Sequence, residues 1–327
     1  MIVFLIILPL VAAVCSTLIP GYQPRSWTLP VTSAAHLLVS ILLVLGYLPA
    51  DGVWLGLDAL SRLMLLVTST LFFGCAIYAF GYLDIRRDRG NKVLVPCLLI
   101  FLSAMTLAVA ARHLGLLWIA VELTTIASAP LIYFNHNRLS IEATWKYLLI
   151  CSVGIALAML WLLFVAYSAL GGGIPISLQF DKLLSEAATL TKPWLRTGFI
   201  FMLVGFGTKM GLAPLHTWKP DAYGEAPGLV GALLAGGLTS VAFLAIMRGV
   251  QLMTAAGEGA LARQELLGMG LFSLLLAAIF MVRQSDIKRL LAYSSVEHMG
   301  LLAIGVGIGG MATFGAMLHL INNALTK

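Results

Sequence analysis

Several ionisable residues lie inside stretches apolar enough to face lipid. Glu122 sits in Leu116-Leu117-Trp118-Ile119-Ala120-Val121-Glu122-Leu123-Thr124-Thr125. Lys209 sits in Val204-Gly205-Phe206-Gly207-Thr208-Lys209-Met210-Gly211-Leu212-Ala213-Pro214, and His216 follows in Pro214-Leu215-His216-Thr217-Trp218. Glu297 and His298 are adjacent in Ala292-Tyr293-Ser294-Ser295-Val296-Glu297-His298-Met299-Gly300. His319, Asn323 and Lys327 are spaced by four, which puts one polar stripe along a helix. A charge at the bilayer centre costs about 2.5–3.5 kcal/mol on insertion scales, so such residues usually face a polar interior and mark ion or proton pathways.

Each has a blander reading. Glu122 could be a protonated packing residue, Lys209 could snorkel to an interface, and His216 could be a hydrogen-bonded structural histidine. The 319–323–327 stripe could be a structural seam. Glu297 and His298, being neighbours, point to different faces of a helix. Position argues for more. Glu122 and Lys209 are central in their stretches. Lys209 also lies among three glycines and a proline, which weaken a helix, and interrupted spans point to transport sites. Desolvation favours a neutral lysine and a nearby acid a charged one, so Glu122 and Lys209 are expected to influence each other. Glu122, Lys209, His216, Glu297, His298, His319 and Lys327 then form a candidate proton path. His36, His113 and His136 lie near span ends or loops and receive no role.

No other chemistry is legible. Cys15, Cys75, Cys97 and Cys151 are far apart in apolar runs, without metal or redox spacing, so the chain offers no iron–sulfur site and should not carry electrons. Gly171-Gly172-Gly173 lacks the Gly-Lys-Ser/Thr that would make a phosphate cradle. The net charge of +6 is accounted for by loop residues and needs no nucleic acid.

The elements that must hold these residues are helices in a membrane. The chain is 60% hydrophobic and 10% charged, against about 45–50% and 25% in soluble domains. A spanning helix needs about 20 mostly apolar residues, and eleven such stretches fit at about 2–19, 31–49, 59–82, 93–111, 114–134, 146–170, 194–217, 226–248, 264–283, 287–308 and 311–327. The fold class is all-α: a polytopic membrane helix bundle of about 11 spans. The N-terminal stretch lacks a basic leader and a small-residue cleavage site, which reads as a retained span. With the N-terminus outside, inside loops hold eleven lysines and arginines, including the clusters at 86–92 and 283–289, and outside loops hold seven. That bias predicts an N-out orientation.

At these residues the sequence resembles a known family: the antiporter-like proton-translocating subunits of respiratory complex I, of group 4 membrane-bound hydrogenases and formate hydrogenlyase, and of Mrp-type cation/proton antiporters. The resemblance rests on Lys209-Met210-Gly211-Leu212-Ala213-Pro214-Leu215-His216-Thr217-Trp218-Lys219-Pro220-Asp221-Ala222 with Glu225-Ala226-Pro227, on Asp286-Ile287-Lys288-Arg289-Leu290-Leu291-Ala292-Tyr293-Ser294-Ser295, and on His319-Leu320-Ile321-Asn322-Asn323-Ala324-Leu325-Thr326-Lys327. It runs from about residue 55 to the end. The wording at 294–300 looks most like the hydrogenase-4 component F type.

The resemblance implies that Glu122 and Lys209 couple redox-driven changes to proton uptake, with Lys209 on a broken seventh helix, and that His319 and Lys327 continue the path. It implies three N-terminal spans (1–92), a first antiporter-like repeat (93–250) and the start of a second, incomplete inverted repeat (260–327), since relatives have about fourteen spans. The chain is thus expected to be part of a longer, divided or truncated polypeptide. Three departures stand out. Ala235 occupies the eighth-span position where relatives often carry Lys or His, Asn323 stands where they often have a second histidine, and Lys219 replaces the leucine of a Trp-Leu-Pro motif. The path is therefore expected to lean on water or on Thr239 and Ser240. The implied role is a non-redox, proton-translocating subunit in a bacterial or archaeal cytoplasmic membrane. Iron–sulfur, nickel–iron or flavin groups are expected only in partner subunits, and the partners are other membrane subunits and a peripheral redox arm. A Mrp-type sodium/proton antiporter subunit and an inactive membrane anchor are the alternatives.

Overall fold

The computed structural model describes residues 1–173 and 175–327; Ile174, within the connection expected over 171–193, lies outside the described residues. The chain is a bundle of helices: α1 Ile2–Leu18, α2 Tyr22–Val44, α3 Ala59–Ile85, α4 Leu94–Ala110, α5 Leu114–Ile132, α6 Arg138–Gly171, the short α7 Phe180–Ser185, α8 Lys192–Met210, α9 Trp218–Glu225, α10 Gly228–Ala232, α11 Thr239–Ala255, α12 Gly259–Met281, α13 Ile287–Ile308 and α14 Met311–Thr326. A π-helical stretch, Leu233–Leu238, joins α10 to α11 into one rod.

Among the described residues, seven helices are long and apolar enough to cross a membrane: α2, α3, α5 with the turn after it, α6, the α10–α11 rod, α12 and α13. Apolar α1 and α4 are shorter, at 17 residues each. The α10–α11 rod is buried along nearly its whole length, as a helix that is apolar all round must be. The others surround it and turn Ile119, Leu149, Val153, Leu163 and Leu275 outwards.

Two helix starts differ most from expectation. The second helix begins at Tyr22, not near 31. Pro24 falls in its first turn, where a missing N–H is harmless, and Arg25 is buried, donating to the Ser16 and Ile19 carbonyls and to Asn91. The sixth begins at Arg138, eight residues early, because Asn137 and Ser140 form a reciprocal capping box, which satisfies two otherwise orphaned donors.

Small residues set the closest approaches. A Cβ at Gly205 of α8 would lie 2.6 Å from backbone atoms of α6, and one at Gly154 of α6 would lie 2.8 Å from Thr208 of α8. Gly270 and Gly300 do the same for α12 and α13. At one end of the bundle, Asp58 caps α3 and pairs with Arg248 of α11 through two contacts of 2.5 and 2.9 Å. Arg248 also donates to Ser61 at 2.9 Å and lies 4.8 Å over the Phe180 ring.

Candidate proton-transfer site

The break in the seventh span is built from glycine and held by side chains. Helix α8 ends at Gly211, whose φ of +85° suits glycine far better than any other residue. The amides of Gly211 and Leu212 both return to the Gly207 carbonyl at 2.8 Å, the bifurcated finish of a helix C-terminus. Six residues, 212–217, separate Gly211 from the start of α9 at Trp218. Groups freed by the break find partners: the Trp218 indole N–H donates to the Thr208 carbonyl at 2.9 Å, and the Ala213 amide donates to Ser273 Oγ of α12 at 2.9 Å.

Lys209 stands one turn before this break and is 1% exposed. It does not snorkel. Its Nζ donates to Thr125 Oγ1 at 2.6 Å and to the Tyr147 hydroxyl at 3.1 Å. Thr125 in turn donates to Glu122 Oε2 at 3.1 Å. One hydroxyl, with one proton and two lone pairs, therefore bridges the acid of α5 and the amine of α8. Tyr147 of α6 continues the network to Ser128 at 2.7 Å. Ser128 spends its own proton on the Thr124 carbonyl at 2.7 Å, so the tyrosine donates to the serine and offers a lone pair to Lys209. Glu122 is half-buried while Thr125, Ser128 and Tyr147 are fully buried. Neither Thr125, Ser128 nor Tyr147 stands out in the sequence as a site residue. The available signal for Thr125 was its place three residues beyond Glu122, on the same helix face.

The remaining expected residues fall into a second group on α13 and α14. His298 Nδ1 and His319 Nε2 are 3.1 Å apart, so one ring donates and the accepting ring is neutral. Lys327 Nζ donates to Ser294 Oγ at 2.8 Å. Glu297 is half-buried on the next face of α13. His216, in the break itself, is buried against Phe280 and Tyr293, and its Nδ1 has no hydrogen-bond partner. The structure thus joins Glu122 to Lys209, and His298 to His319, and sets His216 apart from both.

His36 is a correction to the sequence reading. It lies mid-way along α2 and is 1% exposed. Its ring meets Thr106 at 3.0 Å and Ser69 at 3.1 Å. The serines and threonines of apolar helices hid this, since no sequence signal tells which of them face a neighbour.

Comparison with known proteins gives the family. Residues 111–327 match the profile described as NADH:quinone oxidoreductase/Mrp antiporter, TM. A hydrogenase-4 component F homolog from Methylacidiphilum infernorum is 35% identical over 98% of this chain. The chain belongs to this antiporter-like family. An NADH-quinone oxidoreductase subunit N from Desulforudis audaxviator is 33% identical over 87% of the chain. The fold matches, at TM-score 0.87 and 21% identity, a subunit of an archaeal membrane-bound sulfane sulfur reductase, covering 99% of this chain and 68% of that one. The chain spans 69% and 56% of the lengths of the two sequence relatives.

Ala235 falls in the π-helical stretch, a distortion frequent at functional sites. Thr239 and Ser240, expected as substitutes, each donate back to their own helix, to the Ala235 and Gly236 carbonyls at 2.5 Å. Their protons are committed to backbone. Ala235 instead lines a cavity of about 90 Å³ with Tyr223, Gly231, Lys288 and Lys327, enough for several waters.

Proposed function

We propose that the chain is a proton-translocating membrane subunit of a respiratory assembly of the complex I or membrane-bound hydrogenase kind. The observation that supports this best is the Glu122–Thr125–Lys209 bridge at the broken helix. A protonated Lys209 gives a proton to Thr125 Oγ1 as Thr125 passes its own to Glu122. One hydroxyl thus moves a net charge across the pair without leaving an ion stranded in low dielectric. The reverse transfer recharges Lys209. Any change that separates α5 from α8 breaks the relay, which is how a distant redox event would be coupled to it.

A polar cavity of about 250 Å³, lined by Glu142, Lys146, Asp221, Glu225 and Arg289, would feed it. Lys146 there pairs with Glu142 at 2.7 Å and Asp221 at 2.9 Å, and it immediately precedes Tyr147. The chain works without a redox group of its own; iron–sulfur, nickel–iron or flavin groups belong to a peripheral arm, and other membrane subunits flank it. Eleven crossings follow if α1, α4, the α8–α9 pair and α14 each cross, with the N-terminus outside a bacterial or archaeal cytoplasmic membrane. The proposed division is 1–92, 93–250 and 260–327, with the second joint falling where α11, ending at Ala255, meets α12, beginning at Gly259.

Glu122→Gln and Lys209→Met in the native complex test the reading. Both should abolish proton translocation in inverted membrane vesicles while the complex still assembles. Wild-type pumping by both would overturn it, and sodium-dependent proton flux without any redox substrate would favour the antiporter reading instead.

A further inference from the structure

A second amine, fully buried, lies outside the relay just described. Lys219 is 0% exposed. Its Nζ has one hydrogen-bond partner, Ser295 Oγ of α13, at 3.2 Å, and lies 5.8 Å from the Tyr223 ring centroid. Among the described residues it has no carboxylate within salt-bridge distance. An ammonium taken out of water without a counter-charge costs several kcal/mol, so a leucine or methionine would serve packing better. The fold nevertheless makes room for it: a Cβ on Gly211 would lie 2.1 Å from Lys219 Cε, so the open backbone of the break is the floor beneath the lysine stem.

Its surroundings lie between the two groups of site residues. On one side, Tyr147, which holds Lys209, packs at 5.0 Å against Trp218, the residue before Lys219. On the other side, Ser295 is three residues before His298 and shares its helix face, and His298 meets His319. Tyr223 lines the 90 Å³ cavity beside Ala235, and its hydroxyl is buried without a protein partner.

We propose that Lys219 is the amine that receives protons from the Lys209 site and passes them, through Ser295 and water, towards the His298–His319 pair. This rests on the proton-path reading above. No covalent step is involved: Lys219 gains a proton from one side and loses it to the other.

Proton flux is measured in inverted membrane vesicles containing the native complex, driven by its own electron donor, with Lys219→Met, Lys219→Arg and the double variant Lys219→Met/Ala235→Lys. Lys219→Met should lower flux about a hundredfold, the lower end of the range for a lost proton-transfer group, with assembly unchanged. Lys219→Arg keeps the charge but does not release its proton, and should be equally impaired. Placing an amine at Ala235, beside the Tyr223 cavity, should restore part of the flux. A merely structural lysine would give the opposite pattern, with Arg active and the double variant no better than Met. Wild-type flux in Lys219→Met, or failure of every variant to assemble, would overturn the proposal. If Lys209→Met is inactive in the same assay, only the Lys219 inference falls; if Lys209→Met also pumps, the proton-path reading falls with it.

Discussion

Thr125 is the smallest part with the largest consequence. It accepts from Lys209 and donates to Glu122, and among the described residues no other hydroxyl bonds to both. Thr125→Val keeps the shape and removes the proton. Flux should fall by about a hundredfold, within the range for a positioned proton-transfer group, and Thr125→Ser should restore it. Equal rates for Val and wild type, measured by dye quenching in vesicles, would remove Thr125 from the path. At this scale the sequence was half legible. Charges inside apolar runs announce themselves through their desolvation penalty, so Glu122 and Lys209 could be named. Hydroxyls carry little such penalty and often bond their own helix, as Thr239 and Ser240 do, so Thr125, Ser128 and Tyr147 could not be told from their neighbours. Lys219 was visible as an oddity, but its burial depends on how the break folds.

At the scale of elements, the break and the ties between helices decide what moves. Span types and most ends were legible because apolar length is a strong signal. The misplaced starts of α2 and α6 were not, because Arg25 and Asn137 are satisfied by partners that only the folded chain brings close. The firmest tie joins α3 to α11 through Asp58 and Arg248. Burial pushes the Asp58 carboxyl up, but the Arg248 hydrogen bonds and charge outweigh it and hold it down at about 2, against an ordinary 3.8. A group with a depressed folded value stabilises the fold above its unfolded value and loses that contribution as pH falls through the folded one. Thermal unfolding in detergent should therefore show wild type losing stability between about pH 4 and 2. Asp58→Asn should already be weaker at neutral pH and should lack that added loss. Parallel pH curves for the two would show the pair contributes nothing.

At the scale of the molecule, the proposed orientation rests on charge. The cluster at 86–92 and the cluster at 283–289 carry arginines and lysines at helix ends, and positive loops stay inside. A reporter placed in the 86–92 loop should be reached from the cytoplasm only, and labelling from outside intact cells would reverse the orientation. The fold class was legible from composition alone. The count of crossings was less so, since 17-residue helices such as α1 and α4 sit at the short limit of what spans a bilayer.

A broken helix usually invites comparison with a hinge, but this one is braced. Trp218 is pinned to Thr208 across the gap, and Ser273 of a neighbouring helix holds the Ala213 amide. Bending there would unmake bonds between buried groups. The motions left cheap are rotations about the carbon–carbon bonds of two lysine stems and the turning of hydroxyl groups. The frame stays put, and what moves is the tips of its side chains.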